Sequence, residues 1–121
     1  MAGSARGGIF YLKVNGIQYD AKGEFTYNFG SEKRKGIAGG DRVHGYSTEV
    51  QIPFVEGKIT DSGTLDVKSF TMIKGATVTL ELANGKIAIL KDAWYANEGT
   101  VSTAEGEIGC RFEGMDSEEI L

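Results

Sequence analysis

Lys13-Val14-Asn15-Gly16-Ile17-Gln18 and Glu81-Leu82-Ala83-Asn84-Gly85-Lys86-Ile87 decide the fold of this chain. Each sets an Asn-Gly pair between alternating apolar residues. Asn-Gly accepts the positive φ values of a two-residue type I′ turn, whose twist matches that of the strands it joins. Taken as such turns, the two segments predict a register. Val14 stands opposite Ile17, Leu12 opposite Tyr19 and Phe10 opposite Ala21 in the first; Leu82 stands opposite Ile87 and Leu80 opposite Ile89 in the second. Each set puts apolar residues on one face, so turn chemistry and hydrophobic alternation agree on antiparallel sheet.

Outward from these turns the alternation predicts strands at Ile9–Val14, Ile17–Lys22 and Glu24–Phe29, then at Thr48–Val55, where Val50, Ile52 and Phe54 alternate with Glu49, Gln51 and Pro53. Further strands are expected at Ala76–Leu82, Lys86–Leu90, Asp92–Asn97 and Glu105–Phe112. Pro53 lacks a donor for the ladder and marks an edge or an interruption. Asp61–Ile73 is the one expected helix, with Asp61 or Ser62 as N-cap and Leu65, Phe70 and Ile73 on its apolar stripe. About eight short strands and one short helix define a mainly β protein, an antiparallel β-sandwich or small barrel. From Gly30 to Tyr46 the apolar pattern stops in a stretch with five glycines and the run Lys33-Arg34-Lys35, a long hairpin loop of a length that is uncommon in compact domains unless functional. Residues 1–8 read as a flexible N-terminal arm and residues 115–121 as a solvated acidic tail on a single domain spanning 1–121.

Composition narrows the possible tasks. The chain has 121 residues and a net charge of −4, so it is no general magnet for nucleic acid or anionic membrane. Its 18 glycines against one proline suit many tight turns. The one cysteine, Cys110, has no partner for an internal disulfide, and its parity with Ile108 and Phe112 places it on a buried face. Met1 to Gly8 lacks the apolar stretch of a signal peptide and no apolar run is long enough to span a membrane, so a cytosolic site of synthesis is expected. His44 sits beside Asp41 and Arg42, yet no nucleophile stands in an elbow and no second ligand gives metal spacing. Gly36-Ile37-Ala38-Gly39-Gly40 lacks the Gly-Lys-Ser/Thr ending of a phosphate loop. Neither an enzyme nor a cofactor or metal site is expected. Of Trp94 and Tyr95, which straddle a strand, one belongs to the core and the other is free to anchor an interface; Trp94, Leu80, Leu82, Ile87 and Phe112 are the expected core.

The order and spacing of several segments resemble the tail tube protein of contractile-tailed, Mu-like bacteriophages. They are Gly39-Gly40-Asp41-Arg42-Val43-His44-Gly45-Tyr46, Pro53-Phe54-Val55-Glu56-Gly57-Lys58-Ile59-Thr60-Asp61, Ala76 to Lys86, Asp92-Ala93-Trp94, and Ala104-Glu105-Gly106-Glu107 leading to Arg111-Phe112-Glu113-Gly114. The resemblance implies a structural protein of the virion tail, assembled in the host cytoplasm. It implies hexameric rings, each closing its sheets into a continuous β-barrel, which stack into the hollow conduit for genome ejection. The implied partners are a tail sheath protein outside, a tape-measure protein and transiently DNA in the lumen, and baseplate and tail-terminator proteins at the ends, with no membrane. On that picture the loop, with Lys33, Arg34, Lys35, Gly39, Gly40, Asp41, Arg42, His44 and Tyr46, becomes the ring-stacking contact, received by acidic strips such as Asp116 to Glu119. Glu24, Thr26, Asn28, Glu49 and Gln51, of one polar parity on the strands flanking the loop, become lumen-facing. Two other readings are compatible with the residues, the tube protein of a DNA-free contractile injection device and a small cytosolic β-barrel module for a ligand or peptide.

Overall fold

The computed structural model describes residues 10–121. The expected N-terminal arm, residues 1–8, therefore lies outside the described residues. In chain order the elements are β1 (Phe10–Val14), β2 (Ile17–Tyr19), β3 (Ala21–Asn28), β4 (Lys33–Ala38), β5 (Val43–Glu49), β6 (Phe54–Thr60), α1 (Val67–Phe70), β7 (Ala76–Leu82), β8 (Ile87–Tyr95), β9 (Val101–Ser102), β10 (Glu107–Glu113) and β11 (Asp116–Ile120). Seven strands hydrogen-bond in the order β2-β1-β7-β8-β10-β6-β3, with β11 against β8 and β9 against β10, while among the described residues β4 and β5 pair only with each other.

The first hairpin follows its turn chemistry. Asn15 and Gly16 both take positive φ, 52° and 84°, and Val14 faces Ile17 and Leu12 faces Tyr19. The expected pair of Phe10 with Ala21 does not form: β2 ends at Tyr19, Phe10 pairs with Leu82 on β7, and Ala21 crosses to Ile59 on β6. The second hairpin is one residue out of the expected register, with Leu80 opposite Ala88 and Glu81 opposite Ile87. Only Gly85 of its Asn-Gly pair has positive φ, at 90°, and the Leu82 N–H donates to the Lys86 carbonyl across a three-residue loop. That geometry is a type I turn closed by a left-handed glycine, the next commonest hairpin after the two-residue turn. Packing selects it, because this register turns Ala88 and Leu90 inward with Leu80, and leaves Ile87 and Ile89 half-buried on the other face.

β8 belongs to two halves of the sheet. Its first part lies between β7 and β11, and Trp94 and Tyr95 at its end pair with Glu113 and Phe112 of β10. The expected break between two strands here is a bend within one, made by Asp92 at φ 52° and a register shift on β7. The apolar faces of the two halves form one core, Leu12, Val14, Val78, Leu80, Ala88 and Leu90 from the first and Val55, Ile59, Ile108, Cys110, Phe112 and Tyr95 from the second. Each fully buried large apolar side chain contributes about 1.5–3 kcal/mol. Tyr95 is the core member of its pair and its hydroxyl donates to the Gly109 carbonyl at 2.6 Å, whereas Trp94, Leu82 and Ile87 are only half-buried.

The helix is shorter than its apolar spacing predicts and starts later. Asp61 is still tied to the sheet through its N–H to the Gly106 carbonyl at 2.8 Å, so the N-cap is Asp66. Its Oδ1 accepts from the Ser69 N–H at 3.2 Å and its Oδ2 from the Ser69 hydroxyl at 3.0 Å, and these bonds hold the carboxyl below its ordinary pKa. The single turn of α1 carries Phe70 into the core, where its ring meets those of Tyr19, Tyr95 and Phe112 edge-on at 5.0, 5.4 and 5.6 Å.

Three further expectations are corrected. Thr48–Val55 is not one strand: β5 ends at Glu49, β6 begins at Phe54, and Pro53 sits buried between them with its carbonyl accepting from Gly114 N–H. The stretch from Gly30 to Tyr46 is not irregular, since it holds β4 and most of β5. The acidic end is not a solvated tail, because Asp116–Ile120 pairs along β8 with Glu118 on Lys91 at 3.0 Å and Glu119 on Lys86 at 3.7 Å.

Candidate functional site

One candidate surface is the outward face of β3, β6 and β10. β6 and β10 alternate strictly: Val55, Ile59, Ile108, Cys110 and Phe112 point into the core, so Glu56, Lys58, Arg111 and Glu113 point away from it. Thr26 lies across from Glu56 and Asn28 across from Phe54, which puts the expected lumen residues of β3 on this face. Between Lys22 and Thr26 the ladder slips, with Gly23 at φ 74°. The slip lays the Phe25 ring over Gly57, where any Cβ would collide with it, and Glu24 remains outside with Lys22, Lys58 and Glu107 around a shallow groove.

Almost every charge on this face is paired. Glu107 is bracketed by Lys58 at 2.9 Å and Lys22 at 3.3 Å, and hydrogen bonding from Lys58 holds its carboxyl below the ordinary value. The same bond raises the Lys58 ammonium. Arg111 reaches Glu56 through Nη1 and Glu113 through Nε, both at 3.1 Å, and lies over the Phe54 ring at 4.2 Å from its centre. Across the three strands Glu24, Glu56, Glu107 and Glu113 stand against Lys22, Lys58 and Arg111, so the cations are neutralised in place. Alternation alone could have found Glu56, Lys58, Glu107, Arg111 and Glu113, which the sequence expectations did not include among the lumen residues. Glu49 and Gln51 are not brought to this face: Glu49 pairs with Lys33 at the base of the β4–β5 hairpin, and Gln51 Nε2 donates to the Ser31 carbonyl at 2.8 Å.

The second surface is the β4–β5 hairpin itself. Every residue from Ser31 to Val50 is exposed, so among the described residues this arm packs on no other element. Its root is pinched where Gly30, at φ 76°, lies so close to Pro53 that a Cβ would stand 2.8 Å from the ring. The pairing Arg34–Thr48, Gly36–Tyr46 and Ala38–Val43 gathers Arg34, Tyr46, Ala38 and Val43 on one face, with the Arg34 guanidinium 5.5 Å from the centre of the Tyr46 ring. Lys33, Lys35 and Ile37 lie on the other face, and His44 is the extra residue of a bulge near the tip, folded over Gly39. The Gly39 N–H donates to the Arg42 carbonyl at 2.6 Å and closes the turn through Gly40 and Asp41. Cys110 lies far from chemistry, fully buried, with its thiol pushed up to about 12 by desolvation. Among the described residues no three His, Cys, Asp or Glu side chains gather where they could hold a metal ion.

The sheet is closed on one side by its own core and paved with paired charges on the other, and its arm rests on no other described element; features of this kind suit a structural protein that associates with further chains. Its fold is shared with a sheath/tube terminator of an extracellular contractile injection system, with a TM-score of 0.63 at 9% identity over 93% of each chain. The chain belongs to the phage tail tube protein family, whose model matches residues 3–119. It is 26% identical over 113 residues to the Mu-like prophage FluMu tail tube protein of Haemophilus influenzae, covering 93% of this chain and 94% of that one. To the tail tube protein of Escherichia phage Mu it is 26% identical over 98 residues, 81% of this chain and 82% of the other. These relatives are structural proteins and not enzymes, and the chain is a component of the virion tail.

Proposed function

We propose that the subunit closes into hexameric rings that stack as the hollow inner tube of a contractile phage tail, with the outward face of β3, β6 and β10 lining the channel through which the genome leaves. The observation that carries this reading is the pairing of charges on that face. DNA is a polyanion that free lysine and arginine retain by counterion release, and here Lys22, Lys58 and Arg111 are each occupied by a carboxylate of the same wall. Glu24, Thr26 and Asn28 complete a polar lining, while Glu49 and Gln51 belong to the base of the arm. The arm, with Lys33, Arg34, Lys35, Arg42, His44 and Tyr46, bridges subunits. The sheath protein packs outside the tube, the tape-measure protein and then DNA occupy the lumen, and baseplate and terminator proteins close its ends.

Electron microscopy of the concentrated purified protein tests this. Six-fold rings or tubes with β3, β6 and β10 facing the channel are expected. A particle that stays monomeric by light scattering at every concentration, even when seeded with preformed tube, would sink the proposal, as would a tube map that buries Glu24 and Glu56 within the protein.

A further inference from the structure

The arm leaves the sheet at one end of the β3–β6 ladder, after Asn28 and before Phe54. At the other end of the same ladder, beyond Ala21 and Ile59, lies a groove of about 620 Å³ between the β1–β2 turn and the segment around α1. Ile17, Tyr19, Leu65 and Ile73 give it an apolar floor, and its charged residues are Asp20 and Asp66. Ile17 is 60% exposed there, an apolar side chain left open to water. The arm is complementary in both respects. Its one face carries Val43 and Tyr46, 75% and 60% exposed, beside Arg34, and from Ser31 to Val50 four cations, Lys33, Arg34, Lys35 and Arg42, stand against three carboxylates, Glu32, Asp41 and Glu49, of which Glu32 and Glu49 lie at the root.

We infer that the apolar face of the arm, Val43 and Tyr46 with Arg34, seats in this groove of a second copy of the chain, with Arg34 directed to Asp20, since Asp66 is already engaged as the N-cap of α1. The inference rests on the tube reading and names the receiver of the arm within it. A strand pair of this length places plug and socket about 20 Å apart, and an arm of six-residue strands reaches about as far again. In this structure the arm stands exposed at the end of the ladder opposite the groove, so on this inference each arm fills a neighbour's groove. Such a contact is head-to-tail and does not close on itself as a two-fold dimer does, so it propagates from copy to copy as a stacked polymer requires. The acidic strip Asp116–Glu119 is a poorer receiver, because Glu118 and Glu119 already hold Lys91 and Lys86.

Cysteine pairs test the contact in assembled tubes. Chains carrying Tyr46→Cys are mixed with chains carrying Thr64→Cys, concentrated and oxidised, and Val43→Cys with Ser62→Cys serves as a second pair; the buried native Cys110 takes no part. Cross-linked dimers are expected from each mixture and from neither single variant, and the Thr64→Cys thiol, labelled at once in free subunits, should become at least tenfold slower to label in tubes. Arg34→Glu should raise the concentration needed for assembly tenfold or more, and Asp20→Arg in the same chain should restore it. Tubes that form normally while neither pair cross-links, or in which Tyr46→Cys alone forms dimers, would overturn the socket and leave the tube reading intact. If the unmodified chain forms no tubes, the tube reading fails and the socket with it.

Discussion

Phe70 is the point at which a four-residue helix is joined to the core, and its removal should cost more than any surface change in the molecule. Its side chain is 2% exposed and its ring touches three others, Tyr19, Tyr95 and Phe112, of which the last two also meet each other at 5.7 Å. Phe70→Ala removes the transfer free energy of the ring and leaves a cavity between two sheet halves that the backbone ladders hold apart, about 3–5 kcal/mol for such a truncation. Three lost edge-on contacts push the cost toward the upper end of that range, since each aromatic pair adds about 0.5–1.5 kcal/mol beyond its buried area. A loss of about 4 kcal/mol is a large part of the 5–15 kcal/mol typical of a domain. With a denaturant slope of about 2 kcal/mol per M it lowers the urea midpoint by about 2 M. The assay is equilibrium unfolding at a concentration where the protein is monomeric, because assembly would add to the apparent stability. Phe70→Leu, which keeps most of the volume, should lose less than half as much. A loss below about 1 kcal/mol for Phe70→Ala, at an unchanged slope, would refute the reasoning and show that the α1 segment is docked by other contacts.

Glu107 makes the stability of the subunit pH-dependent in a stated direction. Its carboxyl is held below the ordinary value of about 4.3, so its contribution is present above that pH and is lost as pH falls through the lowered folded-state value. Glu107→Gln should therefore flatten the acid limb of the stability curve, and acid limbs that superimpose for variant and parent would contradict it. Cys110, with its thiol raised to about 12 by burial, should resist thiol reagents in the native protein and react at once in urea; fast labelling without denaturant would place it elsewhere. In the proposed channel, Glu24→Lys with Thr26→Lys removes one carboxylate and adds two cations to a face whose remaining glutamates already hold Lys22, Lys58 and Arg111. Particles should then assemble with normal tails and deliver their genomes poorly, and unimpaired infectivity would remove those residues from the DNA path.

The first hairpin was legible in the sequence because its cause is local: Asn15 and Gly16 can both take positive φ, and the register of Val14 with Ile17 follows from the turn alone. The antiparallel class and the inward parity of Leu80, Ile108, Cys110 and Phe112 were legible for the same kind of reason, whereas Pro53, which the sequence offered as an edge or an interruption within one strand, stands between two. The second Asn-Gly was not decidable locally, since the same dipeptide closes a two-residue or a three-residue loop. Its register was settled by whether Ala88 and Leu90 or Ile87 and Ile89 could share the interior with Leu80.

The arm was hidden because strands that bury nothing leave no alternation to read; Lys33–Ala38 and Val43–Glu49 are strands only by virtue of each other. β11 was hidden because Asp-Ser-Glu-Glu has the composition of a tail, and only the edge of β8, with Lys86 and Lys91 in register, makes it a strand. Polar parity on Glu24, Thr26 and Asn28 was likewise in the sequence, but their company was not. That Lys22, Lys58 and Arg111 stand beside them, already neutralised, depends on a ladder between β3 and β6 and another between β6 and β10, contacts that join residues far apart in the chain. Turn chemistry and periodicity act over a few neighbours and sequence carries them; register, pairing and the opposite placement of arm and groove arise from packing between distant segments, which only the folded chain decides.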